Sequence, residues 1–164
     1  MAGGLLTDIE GTFYREVDRE KWAQALAGSR GPGRYSREGQ PTLYLSASRA
    51  GVEAAMQAHR AGKPAGTVLA FDVRAHGVFD LRLPEALSTV RREAGDPLSD
   101  WQTALARGDV PGSWRARDWI EATGAKGLID PSRRAPGLWH LVLFRWNSPG
   151  AATVTPCPLN SPDG

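Results

Sequence analysis

The sequence predicts an α+β fold: one domain with a mixed or antiparallel sheet at its core and helices flanking it. Three observations carry this. The 164-residue length suits one domain. Strand-like and helix-like segments follow one another irregularly, without the regular alternation that builds a doubly wound parallel sheet. Two apolar strand segments separated by only Arg74-Ala75-His76-Gly77 read as a hairpin, an antiparallel element.

In chain order, Phe13-Tyr14-Arg15-Glu16-Val17 alternates and carries aromatics, so it reads as a first strand. Arg19 to Ala27 reads as a short helix stopped by Gly28, and 28–34 as a glycine-rich loop bearing Arg30 and Arg34. Pro41 leads into a strand over Thr42–Ser46, and Ser48 is placed to cap a helix reaching about Arg60, ended by Gly62 and Pro64. The hairpin follows, Thr67 to Val73 and Gly77 to Leu83. Pro84 suits the first turn of a helix to about Arg92. A helix from Ser99 to Ala106 stops at Gly108, and Ser113 is a candidate cap for another over Trp114–Ala122, closed by Gly124. Lys126–Ile129 and Leu138–Phe144 read as closing strands. From about Ser148 the composition turns to Pro, Ser, Gly and Asn, which predicts a flexible tail. The expected organisation is an N-terminal extension over 1–11, a domain over 12–147 and a tail over 148–164.

Composition excludes several classes. No apolar run approaches the ~18–20 residues of a membrane span. The opening MAGGLLTDIEGTFYRE has neither a basic nor a long apolar signal region, so a cytoplasmic protein is expected. Cys157 is the one cysteine, which rules out an internal disulfide and a cysteine metal cluster. Twenty basic against eighteen acidic residues give a net charge of +2, too balanced to predict direct DNA binding. Seventeen of the basic residues are arginines, a bias that a GC-rich coding sequence explains, so only arginines within a motif are candidates. There is no phosphate-binding GxxxxGK[ST], HExxH, CxxC or GxSxG. His59, His76 and His140 lack ligand spacing, so no metal is expected.

What remains is Gly33-Arg34-Tyr35-Ser36-Arg37-Glu38-Gly39 followed by Leu43-Tyr44-Leu45-Ser46. A glycine lets the backbone approach a ligand, an arginine can clamp phosphate, and a tyrosine stands on a strand ten residues on. A surface turn before an ordinary strand reads the same residues equally simply.

These segments resemble the RES domain family, whose members carry a G-G-R-W-N-x-x-G segment and then a Y-L-A-type strand. Phe13-Tyr14-Arg15 is similar to the family's first-strand Y-R. Thr123-Gly124-Ala125-Lys126-Gly127-Leu128-Ile129-Asp130-Pro131-Ser132 resembles its G-x-x-G-h-h-h-P-S segment, and Trp139–Phe144 the strand after it. The resemblance covers about residues 12–146. It implies a fold related to ADP-ribosyltransferases and a bacterial toxin inhibited by an Xre-type helix-turn-helix antitoxin. The implied reaction breaks the nicotinamide–ribose bond of NAD+, the substrate, by hydrolysis or phosphorolysis. A protein ADP-ribosyltransferase and a nucleotide-binding protein without turnover are the alternatives.

That bond breaks through an oxocarbenium-like state, which calls for phosphate-binding cations, an aromatic surface and a stabilising carboxylate. On the resemblance, Arg34 and Arg15 bind phosphate beside Gly33 and Tyr35, Tyr44 packs against the nicotinamide ribose, and Ser132 orients the substrate. Tyr44 equally suits a strand core and Ser132 a turn. The family's glutamate falls, counted without gaps from Tyr44, on Ala55; the nearest carboxylate is Glu53. Two helical residues span about 200°, so the two positions face opposite sides. Either a shorter connection brings Glu53 into the site, or the carboxylate is absent. Val52-Glu53 followed by Ala54-Ala55-Met56 resembles the family's helix with a short deletion, so Glu53 is assigned as the catalytic carboxylate.

Overall fold

The computed structural model describes residues 2–57 and 66–158. Among the described residues, six strands and four α-helices make one unit: β1 Leu6–Val17, β2 Leu43–Ser46, α1 Arg49–Met56, β3 Thr67–Asp80, α2 Pro84–Glu93, α3 Trp101–Ala106, α4 Gly112–Ala122, β4 Gly127–Pro131, β5 Trp139–Leu143 and β6 Thr153–Pro156. The α+β architecture with a mixed sheet is the one the sequence predicts.

The strands lie in the order β1-β2-β5-β4-β3-β6, and β1 also pairs with β3. Five of them therefore close a ring. β1 and β3 run antiparallel along almost their whole lengths, from Leu6 opposite Phe79 to Val17 opposite Thr67. The β3–β4 pair is parallel, and β5 is antiparallel to both β4 and β2. The ring closes through one residue pair between β1 and β2, Tyr14 opposite Ser46.

Strand alternation sorts the side chains onto two faces. Phe13, Leu43, Leu45, Leu69, Phe71, Ile129, Leu141 and Leu143 belong to one core cluster. The residues between them, Tyr44, Leu128 and Val142, face a second, in which Ala86 and Val90 of α2 and Ala116 and Ile120 of α4 cover the sheet. Each Leu or Phe so buried contributes roughly 1.5–3 kcal/mol relative to exposure. The helices cover only part of that second face. On β2, β5 and β4 the same alternation places Ser46, His140 and Asp130 on its open end.

Several expected boundaries shift. Residues 67–80 form one strand, not a hairpin, because the period of two continues: Asp72, Arg74 and His76 are exposed while Val73 and Ala75 are buried. Gly77 (φ 70°) does not reverse the chain; it sits at a bulge, where the β1–β3 register shifts between Thr7 and Ile9. The same pairing starts β1 at Leu6, so residues 6–11 belong to the sheet and not to an extension. The composition-based tail contains β6, which pairs with residues 71–74 through Val154 against Val73, and Asn147 bonds Val154 in both directions at 2.8 and 2.9 Å. The helix over 19–27 is a 3₁₀ segment, Arg19–Gln24, kinked at Lys21. Ser48 does cap α1, accepting from the Gly51 N–H, whereas the expected C-terminal part of that helix, with His59, Gly62 and Pro64, lies outside the described residues. Asp100, not Ser99, precedes and caps α3. Ser113 lies inside α4 and caps nothing.

Candidate active site

The open end of the second face is a cleft of about 790 Å³, within the range of small-molecule sites. Its lining includes Arg15 of β1, Gly33, Arg34 and Tyr35 of one loop, Tyr44 of β2 and Ser132 just after β4. The fold thus brings six of the seven candidate residues together. The seventh, Glu53, is exposed on α1 and does not line the cleft, whereas Ala54, Ala55 and Met56 do. This corrects the assignment of Glu53: the register of α1 turns Ala55 toward the cleft.

Arg34 and Tyr35 form the tip of a tight turn closed between Gly33 and Ser36, with Gly33 N to Ser36 O at 2.9 Å. Such a tip has no secondary structure to satisfy its carbonyls, and α4 supplies the donors. Trp114 Nε1 donates to Gly33 O at 2.7 Å, Ser113 Oγ to Arg34 O, and Arg117 Nη1 to Tyr35 O at 2.7 Å. Arg117, 2% exposed, also donates to Thr42 Oγ1 at 2.8 Å and to Glu121, and stacks over Phe144. Opposite, the Tyr44 hydroxyl accepts from Tyr35 N at 3.0 Å and meets Ser36 Oγ at 2.7 Å. A Cβ on Gly33 would stand 2.8 Å from that hydroxyl, so the sequence needs glycine there. Burial raises the Tyr44 pKa, keeping the phenol protonated.

The expected roles of the tyrosines change accordingly. The Tyr44 hydroxyl is engaged in fixing the turn, while the residue lines the cleft. Tyr35 is fully buried and packs in the core beneath the cleft. Its hydroxyl donates to Asp130 Oδ1 at 2.6 Å. Its pKa is raised well above the usual value, by burial and by the Asp130 charge.

Arg34 donates from Nη1 to Ser99 O at 3.0 Å, and Arg133 from Nη1 to the neighbouring Leu98 O. Two guanidinium groups are thereby held by consecutive carbonyls of one loop, each with further N–H donors beyond that bond. Burial and the Arg34 charge lower the Arg133 pKa. Arg15 donates to Ala25 O at 2.9 Å, and burial lowers its pKa. Ser132 Oγ accepts from Ala135 N at 3.1 Å, the turn role that its position equally suggested, while still bordering the cleft.

Sequence reasoning missed four residues here. His140 lies opposite both Ser46 and Asp130 in the sheet register, and its Nδ1 meets Ser46 Oγ at 2.9 Å. Burial and the Arg34 charge lower its pKa, so the ring is neutral at pH 7. Asp130 is partly buried; burial lifts its pKa to about 6, against the opposing pull of the Tyr35 hydrogen bond and of Arg34 and Arg133. A lone carboxylate after Leu128-Ile129 in an apolar strand was the available signal for Asp130. Trp101 also lines the cleft, and neither it nor Arg133 carried any signal. Among the described residues, no group of three His, Cys, Asp or Glu could hold a metal, and no helix is long and apolar enough to cross a membrane.

The sequence profile of the RES domain matches residues 12–160. Among solved structures, the chain is similar to one described as the crystal structure of the M. tuberculosis MbcT–MbcA toxin–antitoxin complex. The TM-score is 0.58 at 17% identity, over 91% of this chain and 83% of that one, a likeness of fold. No curated protein gives a significant match.

Proposed function

The chain belongs to the RES domain family, and from that premise we propose that it is a toxin of a toxin–antitoxin pair that consumes NAD+ by breaking the nicotinamide–ribose bond. The observation that carries this reading is the convergence of Arg34, Arg133 and Arg15 on a cleft bordered by Tyr14, Tyr44 and Trp101. A dinucleotide presents just these features, a pyrophosphate between two flat heterocycles. The arginines neutralise the pyrophosphate, and aromatic rings offer stacking surfaces to the bases. As the bond breaks, its electron pair goes to the pyridinium nitrogen and nicotinamide leaves neutral. The positive charge passes to the ribosyl C1′–O4′ unit, where water adds with loss of a proton, or phosphate adds directly. The reaction draws on the cytoplasmic NAD+ pool.

The inhibitor in this reading is an Xre-type helix-turn-helix antitoxin, which supplies the DNA binding and blocks the arginine-lined cleft. The test is to express the protein with and without such a partner, and to incubate purified protein with NAD+ in the presence and absence of phosphate. Growth arrest with falling NAD+, and release of nicotinamide, are expected. Healthy growth with normal NAD+ overturns the toxin reading.

A second reading has an observation of its own. Ala55 lines the cleft, and the gapless count from Tyr44 puts the family's glutamate there, which favours a nucleotide-binding protein without turnover. Tight ADP-ribose binding with no nicotinamide release would establish it.

A further inference from the structure

We propose that Asp130 is a catalytic residue of this cleft, the carboxylate that faces the ribosyl cation as nicotinamide leaves. The proposal rests on the NAD+-cleaving reading above and names the group that supplies its negative charge.

A positive charge developing in a cleft lined by four arginines, Arg15, Arg34, Arg133 and Arg134, needs an opposing one close by. Three carboxylates line the cleft: Glu16, Asp100 and Asp130. Asp100 caps α3, accepting from Thr103 N at 3.2 Å and Thr103 Oγ1 at 2.8 Å. Glu16 lies one residue from the end of β1. Asp130 lies on β4, on the open end of the second face, opposite His140 in register.

Its surroundings position one oxygen. Tyr35 engages Oδ1, so Oδ2 is the oxygen available to a ligand. Tyr35 is immobilised in turn: its ring is in the core, its N–H is on Tyr44 and its carbonyl is on Arg117. The carboxylate is therefore preorganised through a rigid neighbour, the arrangement electrostatic catalysis requires. The charged and titratable groups around it are Tyr35 and Arg34 from the turn, Tyr44 from β2, Arg133 from the segment after β4 and His140 from β5. Two are cations that a bound pyrophosphate would neutralise. The carboxylate would then be the uncompensated charge nearest the reacting sugar. The step is heterolytic and balanced as written above; Asp130 changes neither oxidation state nor covalent bonding.

The experiment compares wild type, Asp130→Asn, Asp130→Glu and Tyr35→Phe by nicotinamide release from NAD+, with and without phosphate, from acid to neutral pH. ADP-ribose binding and thermal melting are measured in parallel. Asp130→Asn is expected to bind ADP-ribose at near wild-type affinity and to lose turnover by about 100-fold or more. Asp130→Glu keeps the charge and is expected to retain measurable turnover. Tyr35→Phe removes a hydrogen bond that favours the ionised carboxylate, so the acid limb of its rate profile should move to higher pH. A purely structural role for Asp130 would leave that limb in place. If Asp130→Asn does not fold, the glutamate variant and the Tyr35→Phe profile decide. Wild-type rates in Asp130→Asn, or an unmoved limb in Tyr35→Phe, overturn the proposal while the NAD+ reading stands. A wild type inert toward NAD+ under both conditions overturns the reading and the proposal together.

Discussion

The hydroxyl of Tyr44 accepts the backbone N–H of Tyr35 at 3.0 Å, so the second strand of the sheet fixes the turn that carries Arg34. Ser36 meets the same hydroxyl from the far side of the turn at 2.7 Å. One phenol oxygen therefore replaces the cross-strand partner that a longer hairpin would have provided.

Tyr44→Phe removes that oxygen and leaves the Tyr35 N–H buried without an acceptor. A stability loss of about 1–3 kcal/mol is expected, read as a lower denaturation midpoint with an unchanged m-value. Nicotinamide release should fall at the same time, because Arg34 sits at the tip of the loosened turn.

Arg34→Ala should cut NAD+ consumption by about 10- to 100-fold, the worth of one charge-assisted contact to a phosphate. Steady-state kinetics on purified protein check it. Arg34→Lys should recover only part of the loss, since an ammonium cannot hold the Ser99 carbonyl and a phosphate in one plane as a guanidinium does.

Glu53→Gln should leave nicotinamide release unchanged and shift stability by no more than about 0.5 kcal/mol, as for an exposed helix side chain. Ala55→Glu introduces a carboxylate on the cleft side of the same helix. In the Asp130→Asn background it should restore part of the lost turnover; failure to rescue would place Ala55 away from the reacting sugar.

Asp130→Asn should make the protein more stable at neutral pH. The pKa of Asp130 is raised from 3.8 to about 6, so the folded state holds its proton more tightly than the unfolded chain. Wild-type stability is then full below about pH 4 and declines as pH rises toward 6, by up to about 3 kcal/mol. Asparagine does not titrate, and the two unfolding curves should converge in acid. Equal stabilities at neutral pH would contradict a strained carboxylate.

Much of this was legible in the sequence, because local rules and tertiary structure agree. The alternation of Leu43-Tyr44-Leu45 and Leu141-Val142-Leu143 gave the right strands and faces, and Ser48 and Pro84 started helices where expected. Arg74 to Gly77 misled because a glycine with positive φ serves a bulge as well as a turn, and only the partner strand distinguishes them. Asn147 and Val154 misled because composition cannot show that a polar segment has a sheet edge to pair with. In the cleft, Arg34, Gly33 and Ser132 were readable from their motifs. Asp130, His140 and Arg133 were not, since their significance comes from strand register and from a carbonyl 35 residues away.

The donors that hold the Arg34 turn lie 79, 81 and 82 residues downstream. Loops of that length close slowly and early local structure does nothing to hasten them. The arginine motif therefore leaves the ribosome long before part of its scaffold, and its three carbonyls find their donors only when α4 docks. A nascent chain that stops short of residue 112 carries the whole signature of the turn and the Tyr44 contact, but none of the three donors of α4. On the toxin reading, the onset of toxicity is thereby tied to the synthesis of α4, about two thirds of the way along the chain.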